Sequence, residues 1–447
     1  MPVTQTTSHF AMQPAPDSLA FALNNAARAL AVVRAGTALP AALTALFAEI
    51  EVPAARGAIQ DIAYRTLRAL GRADALLAAL VRKPPTAPVA NLLTCALALL
   101  SDEPDAAIYA PFTVVDQAVC AASVQPETHP MKGFVNAVLR NFLRSRATLL
   151  AQIMRNPVAR WNHPRWWIDE VRAAWPTAWE GILSAGNTHA PLTLRVNQRR
   201  STVAEYLDVL HTAQIPAVAA GPSAVRLLRA LPVERVPGFM QGVVSVQDAS
   251  AQRAAPLLEV RPGMRVLDAC AAPGGKTGHL LELAEIDLVA LEVDQARAMR
   301  IKQNLDRLQL VATVCIGSAS SPEQWWDGQL FDRVLIDAPC SGSGIVRRHP
   351  DIRWLRRSTD LTALAREQQR MLAALWPLLK PGGELVYATC SIFPIEGEGQ
   401  AQWFEGKQQD AVRLSAPGQI LPSTALPDAG SNIEDRDGFF YARFRKQ

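Results

Sequence analysis

The sequence predicts a chain of three folded parts: an all-α bundle, a small α/β linking domain, and a doubly wound α/β domain on a parallel sheet. Three observations point there. At 447 residues the chain is longer than a single ordinary core serves. Its first third repeats apolar residues at helical spacing and shows no alternating run. From Gly242 onward strand-like and helical runs alternate, the pattern that sets parallel strands between crossover helices. With 49% apolar and 19% charged residues, most of the chain has enough to bury.

Residues 1–16, polar and proline-bearing, read as a flexible tail. Residues 17–148 read as the bundle. Leu19, Ala22, Ala26, Leu30 and Val33 share one helix face, and Ile59, Ile62, Leu67 and Leu70 recur in the same way. NLLTCALALL, FTVVDQAVCAA and KGFVNAVLRNFLR continue the pattern between the proline-bearing breaks KPPTAP and QPETHP. Residues 149–240 form the linking domain. They hold Trp161, Trp166, Trp167, Trp175 and Trp179, interleaved with Arg160, Arg165 and Arg172. Base stacking is one reading of that mixture, but tryptophans at these spacings better suit pinning a connecting helix onto a neighbouring domain. LTLRVNQRR follows as a strand-like run.

Residues 241–447 form the doubly wound domain. MRVLDAC, DLVALEVD, ATVCIG, DRVLID and GELVYATC are its strands, DQARAMRIKQNLDRL and TALAREQQRMLAALWPLL its helices. FFYARFRK reads as a late antiparallel strand at the sheet edge. Ligands of such sheets lie at the carboxyl ends of the strands.

A net charge of +4 permits a nucleic-acid partner without demanding one. Cys95, Cys120, Cys270, Cys315, Cys340 and Cys390 are far apart and form no CxxC pair, so neither a zinc site nor a disulfide framework is expected. MPVTQTTSHFAMQPAP has no basic segment followed by an apolar one, and no apolar run has the length of a membrane span. A cytoplasmic, monomeric protein with no membrane or metal partner is the expectation.

The first strand of the last domain ends in Asp268-Ala269-Cys270-Ala271-Ala272-Pro273-Gly274-Gly275-Lys276-Thr277. Small residues and paired glycines let a ligand approach the backbone where a helix begins. The GGKT letters mimic a phosphate loop. That motif needs a glycine where Cys270 stands, so the phosphate reading fails. Glu292 ends the next strand, where an acidic side chain accepts from ribose hydroxyls. G-x-G-x-x-G is absent, and an adenosyl ligand without a diphosphate fits better.

Asp337-Ala338-Pro339-Cys340 and Thr389-Cys390-Ser391 fall at the carboxyl ends of two further strands. C5 of a pyrimidine is a poor nucleophile. A thiolate added at C6 pushes electron density onto C5, and a second group then helps the enzyme leave. A single cysteine at a strand end is usually an inert core residue, as expected for Cys95, Cys120 and Cys315. Two beside the cofactor edge are harder to dismiss.

ACAAPGGKT, DAPCSGSG and YATCS resemble the signature of the RNA 5-methylcytosine methyltransferases of the RsmB/NOL/NSUN family. GVVSVQDASAQ, IVRRHPDIRW and DGFFYARF narrow the resemblance to its RsmB (Fmu/Sun) branch. FVNAVLRNFLR is similar to the end of that branch's NusB-like RNA-binding domain. The resemblance spans nearly the whole chain. It implies a NusB-like bundle, a small linking domain and a Rossmann-like S-adenosylmethionine-dependent domain acting on cytosine in 16S ribosomal RNA. By it Cys390 is the nucleophile, Cys340 assists product release, and Asp337 contacts the cytosine or the methionine end of the cofactor. Cys270, Ala271, Ala272, Pro273, Gly274, Gly275 and Lys276 wrap the cofactor, and Glu292 holds its ribose.

Three positions depart from the pattern. Gly317-Ser318-Ala319 stands where many relatives carry Gly-Asp for the adenine, so Ser318 takes that place. Glu292 replaces a usual Asp. Gly397 stands where relatives often have Asn.

A thiolate reaches C6 only in an unstacked or loop nucleotide. Arg347 and Arg348, just after the Cys340 loop, are candidates to grip adjacent phosphates. Arg140 and Arg144, four apart on one helix face with Lys132 and Arg146 near, are candidates for a second footprint. Two other readings remain: the same chemistry on transfer RNA or large-subunit RNA, and a non-catalytic RNA-binding assembly factor.

Overall fold

The computed structural model describes residues 14–101, 108–229, 231–424 and 435–447. Of the tail assigned to residues 1–16, all but the last three lie outside the described residues. The chain divides into two units. One comprises the chain to Arg172 together with His349–Arg356; the other comprises Ala173–Arg348 and Arg357–Gln447.

The first unit is all helical: α1 (Leu19–Arg34), α2 (Leu39–Phe47), α3 (Pro53–Arg68), α4 (Leu70–Leu80), α5 (Ala87–Leu100), α6 (Pro111–Ala122), α7 (Lys132–Ile153), α8 (Pro157–Trp161) and α9 (Arg165–Ala174), which runs to the unit boundary. Ser18 caps α1 by accepting from the Phe21 N–H, and α2, α3, α5 and α6 each carry proline in the first turn, where no N–H is missed. From Asn91 to Leu100 every residue of α5 is buried, so it forms the centre on which the amphipathic helices lay their apolar stripes. Trp167 is fully buried, with Trp166 edge-on against it.

The second unit holds two sheets. Its elements are α10 (Trp179–Asn187), β1 (Leu192–Val196), α11 (Val203–Thr212), β2 (Ala217–Ala219), β3 (Ala224–Leu227), β4 (Val244–Val246), α12 (Ala254–Leu257), β5 (Arg265–Ala269), α13 (Gly275–Leu283), β6 (Asp287–Glu292), α14 (Gln295–Leu308), β7 (Thr313–Ile316) and β8 (Phe331–Asp337). After α15 (Ile352–Leu355), which belongs to the first unit, follow α16 (Ser358–Leu375), β9 (Leu379–Thr389), α17 (Glu398–Lys407), β10 (Ala411–Ile420) and β11 (Phe439–Lys446). The small sheet is antiparallel, in the order β2-β3-β1-β4, and buries Leu194, Val196, Val225 and Leu227 against Tyr206 and Leu210 of α11. The capping box of Thr202 and Glu205 starts that helix.

The large sheet runs β10-β11-β9-β8-β5-β6-β7, with β5 to β9 parallel. Side chains alternate across it. Leu267, Val334, Ile336 and Leu385 pack on α16 and α17, while Val266, Leu335 and Val386 pack on α12, α13 and α14. The chain order reverses between β5 and β8, the switch point at which such sheets open a crevice. FFYARFRK is not at the edge. As β11 it lies between β9 and β10, and the edge is β10, whose Pro417-Gly418 bulge hides its strand pattern in the sequence. Among the described residues no helix is long and apolar enough to cross a membrane.

Candidate active site

The turn after β5 is shaped by its small residues. Cys270 (φ 62°) and Gly274 (φ 94°) are left-handed, and a Cβ on Gly274 would stand 3.2 Å from the Ile301 Cα. The Ala271 N–H donates to the Leu291 carbonyl (2.9 Å) and the Gly274 N–H to the Ala271 carbonyl (2.7 Å), folding the turn over the N-terminus of α13. Beneath it the Thr277 hydroxyl donates to Asp268 Oδ2 (2.6 Å). Oδ1 has no partner among the described residues, and burial pushes this carboxyl up to about 7. Burial also raises the Cys270 thiol, with Asp337 and Glu292 adding to it.

Glu292, buried at the end of β6, accepts from the N–H groups of Ala272 (3.3 Å), Val293 (3.0 Å) and Asp294 (3.2 Å), and Arg297 reaches it at 3.4 Å. The Gly317 N–H donates to the Glu292 carbonyl (3.1 Å), so Ser318 stands beside Glu292 on the same sheet edge. The Ser318 hydroxyl accepts from the Ser320 N–H and its carbonyl from the Trp325 indole.

Across the switch point Lys276 donates to Asp337 Oδ2 (2.6 Å). Burial is the largest influence on the lysine and lowers it, but the charge and hydrogen bond of Asp337, with smaller help from Cys390 and Asp268, together outweigh burial and the net shift is upward. β8 and β9 are neighbours in register, Asp337 opposite Ala388, which brings their tips together. The sulfurs of Cys340 and Cys390 lie 3.3 Å apart, and the Gly344 N–H donates to the Cys390 carbonyl (2.9 Å). The contact with Cys390, then burial, then the Glu396 carboxylate push the Cys340 thiol well above its ordinary value. The expected cofactor turn, Glu292, Ser318, Asp337, Cys340 and Cys390 thus all stand along the carboxyl edge of one sheet.

The expectation that Arg347 and Arg348 grip phosphates is corrected. Arg347 is 1% exposed and bonds Asp437 and Asp435, each at 2.5 Å; Arg348 bonds Asp437 (2.5 Å) and Asp248 (2.9 Å). Guanidinium groups committed to two carboxylates each are not offered to RNA phosphates. Arg140 and Arg144, by contrast, are exposed on α7, and Arg140 touches Asn136 (3.0 Å).

Several residues around the site were not singled out from the sequence. Arg195 of β1 is fully buried. It pairs with Glu282 (2.7 Å) and donates to the Gly275 carbonyl (2.7 Å), clamping the first turn of α13 from the small sheet. The Trp175 indole donates to the Ile392 carbonyl (2.8 Å), two residues past Cys390. Glu396, Ser341, Ser391 and Gln368 form a buried network under the two cysteines. The GVVSVQ run and the serines flanking each cysteine were visible, but nothing local marked their partners. Among the described residues no cluster of three or more His, Cys, Asp or Glu could hold a metal ion.

Residues 255–445 match the family model of the 16S rRNA methyltransferase RsmB/F, residues 163–234 that of the RsmF/B-like ferredoxin-like domain, and residues 24–144 the NusB family. The chain is 41% identical to the ribosomal RNA small subunit methyltransferase B of Pseudomonas syringae pv. tomato, covering 94% of this chain and 96% of that one. It is likewise 41% identical to the protein of that name from Vibrio cholerae, over 93% and 95%. Among solved structures, PH0851 superposes with a TM-score of 0.73 at 24% identity, covering 97% of this chain and all of that one. A methyltransferase homologue from Pyrococcus horikoshii gives a TM-score of 0.55 at 28% identity, over 65% and 97%.

Proposed function

Because the chain belongs to the RsmB/F family of 16S rRNA methyltransferases, we propose that it methylates C5 of a cytosine in small-subunit ribosomal RNA in the cytoplasm, through a covalent bond from Cys390 to C6. The observation that carries this reading is the pair of thiols 3.3 Å apart beside the Lys276–Asp337 ion pair.

The turn fits S-adenosylmethionine better than a nucleotide phosphate, since its one cation, Lys276, is already neutralised by Asp337. The run Cys270 to Lys276 would surround the ligand, Glu292 would take the ribose and Ser318 the adenine edge. When bound, the cofactor supplies a methyl group on an electron-poor sulfur. Cys390, at the tip of β9, is the attacking sulfur, and a thiolate is a better nucleophile than a thiol. Cys390 Sγ adds to C6, and the displaced π pair lets C5 take the methyl group, whose bond to the sulfonium sulfur would break and leave a neutral thioether, S-adenosylhomocysteine. Asp337 orients the cytosine ring. Cys340, whose sulfur lies 3.3 Å from that of Cys390, takes up the C5 proton as base; the C5–H electron pair reforms the C5–C6 double bond and the C6–S bond breaks to release Cys390 as thiolate. Arg140 and Arg144 contribute phosphate contacts that are distant in sequence from the thiols.

Cys390→Ala should abolish both methyl transfer and covalent RNA complexes. Cys340→Ala should form the complex and fail to resolve it, trapping protein on RNA in a denaturing gel. Normal turnover by Cys340→Ala, or a complex surviving Cys390→Ala, overturns the assignment.

A further inference from the structure

One carboxylate lies under both cysteine loops. Glu396 sits in the turn after Cys390 and is completely buried. Its Oε1 accepts from the Ser341 N–H (2.8 Å) and from Gln368 (3.3 Å); its Oε2 accepts from the hydroxyls of Ser341 (2.5 Å) and Ser391 (2.6 Å). Ser341 follows Cys340 and Ser391 follows Cys390. A single side chain therefore fastens the residue next to each thiol.

The rest of the network serves the same end. Gln368 also donates to the Pro339 carbonyl (2.9 Å), so Cys340 is held on both sides. Ser343 bonds Ser391 (3.0 Å) and accepts from the Ile392 N–H (2.9 Å), a second tie between the loops. The Glu396 carbonyl accepts from Tyr387 (2.9 Å) and Thr389 (3.2 Å) of β9, which anchors the clasp to the sheet rather than to a loop. None of these hydrogen-bond donors is a cation. Burying a carboxylate among neutral donors is costly, and an apolar filler would stabilise such a site at less expense. What the carboxylate supplies is acceptor capacity for several donors from two loops at once.

We infer that Glu396 is a positioning residue that sets the separation of the Cys340 and Cys390 thiols, and with it the release step. This rests on the reading of Cys390 as nucleophile and Cys340 as release group. Rate is sensitive to displacements of about 1 Å in such pairs, so loosening the clasp should cost release more than it costs cofactor binding.

The test uses full-length Glu396→Ala and Glu396→Gln and reads the spacing directly. Diamide removes two hydrogens from a thiol pair within reach and is itself reduced to the hydrazine, and mass spectrometry of the peptides follows Cys340–Cys390 disulfide formation. Glu396→Ala should slow it at least about tenfold, whereas Glu396→Gln, which keeps one acceptor oxygen and the volume, should lie within about threefold of wild type. In parallel, Glu396→Ala should accumulate covalent RNA complex while its affinity for S-adenosylmethionine stays within about twofold. An unchanged disulfide rate in folded Glu396→Ala, or equal impairment in both variants, overturns the inference. Should Glu396→Ala fail to fold, Ser341→Ala with Ser391→Ala removes the hydroxyl donors and must slow the same reaction; no slowing overturns it equally. The disulfide readout needs no RNA, so it stands or falls apart from the methylation chemistry.

Discussion

On α7, Arg140 and Arg144 lie exposed one turn apart; behind the Cys340 loop, Arg347 is buried and Arg348 half-buried, both bonded among Asp248, Asp435 and Asp437. The same residue type meets two fates because of what the fold delivers to it. The three aspartates come from the approach to α12 and from the residues just before β11, about ninety to a hundred positions away in sequence. Behind the Cys340 loop arginine is an internal strut. On α7 it is a charge offered to whatever approaches. Asp248 shows how tightly the strut is set: burial raises it first and Asp437 second, while Arg348 pulls the other way.

The contrast breaks most visibly through its buried half. Asp437→Ala takes from Arg347 and Arg348 a buried carboxylate they share and should cost about 3–5 kcal/mol; Arg347→Ala removes one of the two guanidinium partners of Asp437 and of Asp435, leaving Arg348 and Arg226, and should cost somewhat less, both measured by urea unfolding. A stable Arg347→Ala protein with weakened RNA binding would make the two arginine pairs equivalent after all. A smaller effect sharpens the same contrast from the acid side. Asp268 is raised in the folded state from 3.8 to about 7, so its contribution to stability is complete below the unfolded value and lost as pH climbs through the folded one. Unfolding midpoints should therefore fall from about pH 4 to about pH 7 and level off above. Asp268→Asn, always neutral, should remove up to about 4 kcal/mol of that slope. The smallest expected change in stability belongs to α7. Arg140→Ala with Arg144→Ala should shift unfolding by no more than about 0.5 kcal/mol, yet flatten the dependence of log K for RNA on log salt by nearly one for each phosphate no longer neutralised. An unchanged slope removes α7 from the RNA surface.

How far the sequence reaches follows the same division. Helical spacing in α1 and α3, strand alternation through β5 to β9 and the glycine turn are local patterns, and they were readable because backbone and burial preferences repeat over a few residues. The juxtaposition of Cys340 and Cys390 was readable one level up, since adjacent parallel strands must end on the same edge. β2 to β4 are too short to alternate convincingly, and β10 is broken by Pro417 and Gly418. The partners of Arg347, Arg195 and Glu396 depend on distances across the fold, and no short-range pattern encodes them.

The short stretch His349–Arg356 has a consequence for how this protein can be cut and recombined. It lies far downstream in sequence yet belongs to the helical unit, where Asp351 accepts from the Leu39 N–H (2.9 Å), the Trp354 indole donates to the Leu67 carbonyl (2.8 Å), and the buried Arg353 donates to the Asn162 carbonyl (3.1 Å). Gly71 is required there because any side chain would collide with the Val158 carbonyl and approach Trp354 to 3.2 Å. The helical unit is thus not a cassette. A gene fragment that stops at Arg172 encodes its helices but omits a carboxylate, a guanidinium and an indole from its interior. Chimeras that exchange this unit between relatives must carry both segments or repack the gap between them.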